Sequence, residues 1–475
     1  MLFNSLEFGV FLPIVFGLYW LPLRHAQQRT WLLLGASYFF YGWWDQRFLA
    51  LILAISVLDF SIGLQLQKAA RTAERKRWLA LSLVINLGVL GAFKYFNFFV
   101  DSLNGAFSML GVPVRGPILD IVLPVGVSFF TFRSMSYVMD VYRERLPPTR
   151  SLVQHLTYVA FFPQLLAGPI ERATHLLPQL QKPAEFSQSQ ASDGLRQMLW
   201  GFFKKTVVAD NCTPLVGEIF ARHDQYAGTT LLVGALLFTF QIYGDFSGYS
   251  DIAVGTAKLF GFELKKNFAY PYFSRDIAEF WRRWHISLST WFRDYLYIPL
   301  GGNRGSKAVQ VRNTFVVFLV SGLWHGANWT YVVWGLLHAL YFLPLMFPER
   351  KRKDSACVAE GRMLPSFSEA GQMLTTNVMV VLAWVFFRAE TLGLGLEYVA
   401  RMLDPRSWSV PEIVPARPCL YIVAMLVVEW LNRDKEHGLS VVAMPPLFRW
   451  AGYFSLALAV LLLSADAQTF LYFQF

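Results

Sequence analysis

The sequence predicts an all-α, polytopic integral membrane protein. Three observations carry that expectation: hydrophobic residues make up 55% of the 475-residue chain, charged residues only 16%, and apolar runs of span length recur between charged or Pro-rich breaks. Soluble domains carry about 25% charged residues, so a soluble protein of this composition would lack the polar surface to cover itself. Aromatic residues at 17% exclude disorder, and no glycine repeat or charge-rich heptad supports collagen or coiled coil.

A bilayer core takes about 20 predominantly apolar residues per helix. Runs meeting or approaching that length lie at 7–23, 31–44, 48–66, 78–100, 118–140, 152–168, 229–244, 314–346, 373–387, 418–431 and 450–465. Ten or eleven transmembrane helices are expected, with 314–346 long enough for one tilted helix or a bent pair. Residues 169–228 and 245–313 are too polar to cross continuously and are expected as surface or re-entrant helices. The basic run from Pro348 to Asp354 opens a connector over 349–372, expected to be cytoplasmic. The whole chain is expected as one membrane domain with N-terminal spans over 1–168 and C-terminal spans over 373–475. The segment Met1 to Glu7 lacks a basic leader, so the first span is expected to be retained.

Lys and Arg beside spans favour the cytoplasmic side. The first, third and fifth loops hold Arg24, Arg29, Lys68, Arg71, Arg75, Lys76, Arg77, Arg143, Arg145 and Arg150, against Arg47 and Arg115 in the loops between. That asymmetry predicts an N-terminus on the outer side. It also accounts for the net charge of 42 − 32 = +10 without a nucleic-acid partner, since no basic patch sits on a soluble module. Cys212, Cys357 and Cys419 are far apart and form no C-x-x-C, so neither a disulfide framework nor a metal site is expected.

The G-x-S-x-G, G-x-x-x-x-G-K-[ST] and H-E-x-x-H signatures are missing, which argues against serine hydrolases, P-loop ATPases and zincins. Three segments remain. From Glu279 to Tyr295 a continuous helix would align Trp281, Trp284, Leu288, Trp291 and Tyr295 as an apolar stripe along a membrane interface, with Arg282 and Arg283 elsewhere and His285 at its edge. From Ser321 to Trp329, His325 falls inside a long apolar run, flanked by Gly322 and Gly326. An imidazole at membrane depth is costly unless it faces protein or a cavity, and therefore marks a functional site. A neutral histidine suits general-base work near pH 7, and Asn328, Trp324 and His285 offer donors for a developing oxyanion. His338 would lie about 20 Å further along a continuous helix, which makes it a packing residue. From Asp245 to Asp251, with Tyr249, the chain reads either as a cavity wall or as a turn with solvated acids.

At these residues the chain resembles the membrane-bound O-acyltransferase family, in its bacterial alginate O-acetyltransferase-like branch. The matching stretches are Trp281 to Tyr295, Leu300 to Gly305, Trp324 to Asn328, Phe161 to Gln164 with Ala167 to Ile170, and Asp245 to Asp251; similarity runs on to the final Tyr472 to Phe475. The resemblance implies a helical ring around a central funnel, in a bacterial inner membrane, through which an acyl group passes from a cytoplasmic donor to an outer acceptor. It implies that the family's catalytic histidine is His325 and that His285 matches a second family position. No cofactor is implied. Acetyl-CoA is the expected co-substrate, docking near Arg282 and Arg283, and a periplasmic acetyltransferase partner is expected to pass the acetyl group to a polysaccharide. A transporter or a noncatalytic scaffold of a polysaccharide complex are the competing classes.

Overall fold

The computed structural model describes the chain apart from residues 24, 113–115, 183, 348–356, 441–444, 467, 469 and 472–475. Arg24 and Arg115 of the loop-charge count, the basic run 348–354 and the terminal 472–475 stretch lie outside the described residues. No strand occurs among the described residues. Among the described residues, five helical runs are long and apolar enough to cross a membrane: Arg47–Lys68, Thr72–Met109, Gly228–Leu259, Phe367–Arg388 and Pro446–Leu463; Leu6–Trp20 and Trp329–Leu345 are shorter apolar helices. Contacts divide the chain into two compact units, one of Met1–Ser187 with Phe260–Leu264 and Gly326–Asn328, the other of the remaining residues.

The first unit holds α1 (Leu6–Trp20), α2 (Ala26–Gly42), α3 (Arg47–Lys68), α4 (Thr72–Leu90), α5 (Phe96–Met109), α6 (Val127–Tyr142), α7 (Leu152–Ala160) and α8 (Ala173–Gln181). A polar knot joins three of them. Buried Asp59 of α3 accepts hydrogen bonds from Ser82 (2.7 Å) and Asn86 (2.9 Å) of α4 and from Ser134 of α6 (2.6 Å). A carboxyl group inside a span is tolerated when neighbouring helices supply its donors. Arg75 donates to the carbonyls of Leu66 (3.2 Å) and Tyr142 (2.8 Å), so the third and fifth loops meet at one end of this unit.

Two expected spans are shorter than their apolar runs. The run from 118 becomes helical only at Val127, after Pro124 and a Gly126 held at φ 74°. The run from 152 stops at Ala160 and passes into a 3₁₀ turn at Phe162–Gln164 that contains Pro163. Hydropathy does not register either break. Proline and left-handed glycine do.

The second unit holds α9 (Gln188–Phe202), which continues through a π turn at Phe203–Ala209 into α10 (Asp210–Ala221), then α11 (Gly228–Leu259), α12 (Ile277–Arg283), α13 (Ile286–Phe292), α14 (Lys307–His325), α15 (Trp329–Phe342), α16 (Phe367–Arg388), α17 (Leu392–Leu403), α18 (Ala416–Leu431) and α19 (Pro446–Leu463). α9 and α11 run antiparallel in close contact. A Cβ on Gly201 would stand 2.6 Å from the Gly248 carbonyl, and one on Gly248 2.7 Å from the Gly201 carbonyl. This approach holds the α9–α10 run against the Asp245 to Asp251 stretch, which is part of helix α11 rather than a solvated turn or a surface segment. Asp245 is buried there because a lysine meets it, Lys205 Nζ at 2.6 Å; Asp251 is likewise met by Lys204 at 2.6 Å.

The long run at 314–346 is a bent pair, α14 and α15, joined by Gly326, Ala327 and Asn328. Its two helices touch backbone to backbone. A Cβ on Gly322 would collide with the Tyr331 carbonyl, and one on Gly335 with the Phe318 carbonyl. Because the opposing atoms are main chain, no rotamer change relieves the clash. Gly322→Ala and Gly335→Ala are each expected to cost about 1–3 kcal/mol, read as a lower unfolding midpoint of the purified protein. An unchanged midpoint in both would contradict this packing.

Candidate functional site

His325 is the last residue of α14 and is 3% exposed. Its ring is walled by aromatics, with Trp324 and Trp334 centroids both at 5.0 Å and Phe387 at 5.3 Å. Trp324 also packs edge-on against His285 at 5.9 Å, so one indole touches both histidines. The α14–α15 break has a further consequence. His338, far along a continuous helix, instead contacts the same Trp334 at 4.8 Å, and its Nδ1 accepts from Trp281 Nε1 at 3.3 Å. It remains a buried packing residue, but beside the histidine site rather than a helix length away.

The predicted interface helix is two seven-residue helices, α12 and α13, broken at Trp284 and His285. Its apolar stripe faces protein rather than headgroups: Trp284, Leu288, Trp291 and Tyr295 are all buried. His285 sits at the break with φ 44°, a left-handed conformation uncommon for a non-glycine residue. Asn267 holds it there. The Asn267 backbone carbonyl accepts from Ile286 N (2.9 Å), and its side-chain Oδ1 accepts from Ser287 N (3.2 Å) and Ser287 Oγ (2.9 Å). With Oδ1 fixed as an acceptor, His285 Nδ1 at 3.2 Å donates to it, and the neutral tautomer then places its acceptor lone pair on Nε2. Phe246 packs edge-on over the same ring at 4.6 Å. No sequence signal pointed to Asn267, because its role depends on a contact 18 residues along the chain.

Burial pushes the His285 imidazole down to about 3 from its usual 6.5. The ring therefore stays neutral through physiological pH. An unfolded chain protonates this histidine as pH falls below about 6.5 while the folded one does not, so folding loses stability from that pH down toward 3. At pH 5 the loss is on the order of 2 kcal/mol relative to pH 8. His285→Gln is expected to lessen the acid-side fall in unfolding stability by this one group's share; an identical pH dependence in the variant would contradict it.

The other predicted residues separate into distinct places. Arg283 is held by Glu279 (2.8 Å) and by the Ala269 carbonyl (3.0 Å), whereas Arg282 on the same helix is exposed. Asp245 is bound by Lys205 and by the Leu471 amide (2.7 Å), and Tyr249 stacks near Phe470 at 4.7 Å. Asn328 lies in the turn after α14, in the segment grouped with the first unit.

A cavity of about 350 Å³ borders α14. Thr314, Val317, Phe318 and Ser321 line it at helical spacing, and the same face one turn on carries Trp324 and His325. Trp281, Leu288 and Phe292 close its apolar side, and Arg293, with a side chain 60% exposed, lies at its edge. The arrangement offers an apolar slot along α14 as far as Ser321, two imidazoles in contact with one indole, and aromatic walls whose low polarity strengthens any charge interaction beside them.

A family model for membrane-bound O-acyltransferases matches residues 33–384. A probable alginate O-acetylase of Azotobacter vinelandii is 42% identical over 433 residues, covering 91% of this chain and 84% of the relative. A peptidoglycan O-acetyltransferase of Helicobacter pylori is 32% identical over 529 residues, covering 100% of this chain and 98% of the relative. A teichoic acid D-alanyltransferase of Bacillus subtilis is 28% identical over 48% of this chain and 60% of its own length.

Proposed function

The chain belongs to the membrane-bound O-acyltransferase family, and from that premise we propose that it moves acetyl groups from cytoplasmic acetyl-CoA to a hydroxyl acceptor, with His325 as general base. It is a multi-pass membrane acyltransferase. The observation that supports the catalytic reading best is His325 at the broken end of α14, enclosed by Trp324, Trp334 and Phe387 and linked through Trp324 to His285.

In this reading the thioester arm lies in the apolar cavity along α14, with its phosphates met by exposed Arg293 and Arg282. His325 takes the proton of the acceptor hydroxyl as its oxygen attacks the thioester carbonyl. The C–S bond breaks, and the leaving thiolate recovers that proton from the imidazolium, which leaves no net change in the protein. His285, neutral and anchored by Asn267, orients the pair, and Trp324 supplies a donor for the carbonyl oxygen. The acceptor is a hydroxyl of a periplasmic acetyltransferase partner that acetylates a polysaccharide such as alginate. The placement is a bacterial inner membrane, with the N-terminus outside, the side that the loop charges favour.

A transporter would also need many helices and a buried polar site. Sealed proteoliposomes given acetyl-CoA labelled in its acetyl group separate the two. Release of free CoA with label on the acceptor is expected. Intact donor accumulating inside the vesicles without CoA release would overturn the catalytic reading.

A further inference from the structure

A second, polar cavity of about 190 Å³ lies in the second unit, lined by Lys205, Asp210, Thr213, Gln241, Asp245 and Arg388 among others. At about 30 Å³ of liquid per water it has room for roughly six waters. Part of its wall is already satisfied. The Lys205 ammonium is shared between Asp245 (2.6 Å), Asp210 Oδ1 (2.8 Å) and the Gln468 carbonyl (3.3 Å). Asp245 Oδ2 receives the Leu471 amide.

The remainder has no hydrogen-bond partner among the described residues. Gln241, 4% exposed, donates through Nε2 to Thr213 Oγ1 (3.0 Å), which leaves its Oε1 buried without a hydrogen-bond partner. Asp210, 1% exposed, likewise keeps Oδ2 without one. Unmet buried acceptors are costly and call for a donor. Arg388, at the last position of α16 and only half-buried, brings a guanidinium to the same cavity, where its planar fork suits a carboxylate. Two acceptors with no donor among the described residues, beside one guanidinium that lies over the Phe220 ring at 5.4 Å and near Glu390, form a mixed pattern. A metal cation is disfavoured by Lys205 and Arg388, and a simple anion leaves the two acceptors unmet.

We propose that this cavity is a binding site for a small hydroxy-carboxylate, its carboxylate on Arg388 and its hydroxyls on Gln241 Oε1 and Asp210 Oδ2. The site goes beyond the acyl-transfer reading and does not depend on it. Its walls adjoin the histidine shell along the chain. Asp245 precedes Phe246, the ring over His285, and Arg388 follows Phe387, a ring against His325. A ligand bridging α10, α11 and α16 therefore braces the two helices that present those rings.

The test uses the full-length protein in detergent and three probes on a three-carbon frame: glycerate with hydroxyls and carboxylate, glycerol with hydroxyls alone, and propionate with carboxylate alone. Glycerate is expected to raise the unfolding midpoint in a concentration-dependent way, with the other two roughly tenfold weaker or more, the loss of about one good contact. Arg388→Met is expected to remove the preference for glycerate over glycerol, and Gln241→Leu the preference over propionate. His325→Ala is expected to keep the full glycerate response, which separates failure of this site from failure of the acyl-transfer reading. No glycerate response in the wild type, a response matched by glycerol or propionate, or an undiminished response in both cavity variants would overturn the proposal.

Discussion

His325→Ala protein, reconstituted beside the wild type and matched for folded material, is expected to transfer labelled acetyl about 10²–10⁴-fold more slowly, the usual contribution of a positioned general base. The expectation rests on position. The imidazole ends α14 where the chain breaks, and its neighbours Trp324, Trp334 and Phe387 are large enough to keep their packing when one small ring is removed. The folding cost is therefore expected to be smaller than the catalytic one, and the unfolding midpoint measured alongside separates the two. His325→Gln keeps volume and polarity without a usable base, so it is expected to be as slow as alanine. A glutamine variant near the wild-type rate would assign the residue to packing.

Lys205→Met is expected to destabilise the protein by about 3–5 kcal/mol, because removing one member of a buried ion group strands its partners. Here two carboxylates, Asp210 and Asp245, converge on one ammonium at 2.8 and 2.6 Å in a setting where each is almost fully buried. The group also holds the chain at two later points, since Lys205 reaches the Gln468 carbonyl and Asp245 accepts from the Leu471 amide. The variant should lose monodisperse yield and melt lower, while the triple change Lys205→Met, Asp210→Asn, Asp245→Asn should recover part of the loss. A single variant as stable as wild type would contradict the pairing.

The class of fold was legible because lipid imposes it: only helices and closed barrels can carry a backbone across a bilayer, and apolar runs of helix-span length point to the first. Helix ends were less legible. The breaks at Gly126, Pro163 and His285 are set by single residues inside runs whose hydropathy does not change. For the Asp245 to Asp251 stretch the sequence left a cavity wall and a solvated turn open, and Asp245 does line a cavity; the solvated-turn reading fails because its cations, Lys204 and Lys205, come from a helix some forty residues earlier. Both histidines were visible as titratable groups in apolar surroundings. Their connection through Trp324 was not, since it depends on how α13 and α14 pack, and neither was the Glu279 pair that occupies Arg283.

The central claim, that this chain is a catalyst acting through His325 rather than a scaffold for other enzymes, is tested most directly by the acetyl content of the surface polysaccharide in cells whose only copy carries His325→Ala at wild-type abundance. The account predicts polymer stripped of acetyl groups while the protein remains in the membrane. Acetylation at the wild-type level in those cells would contradict it.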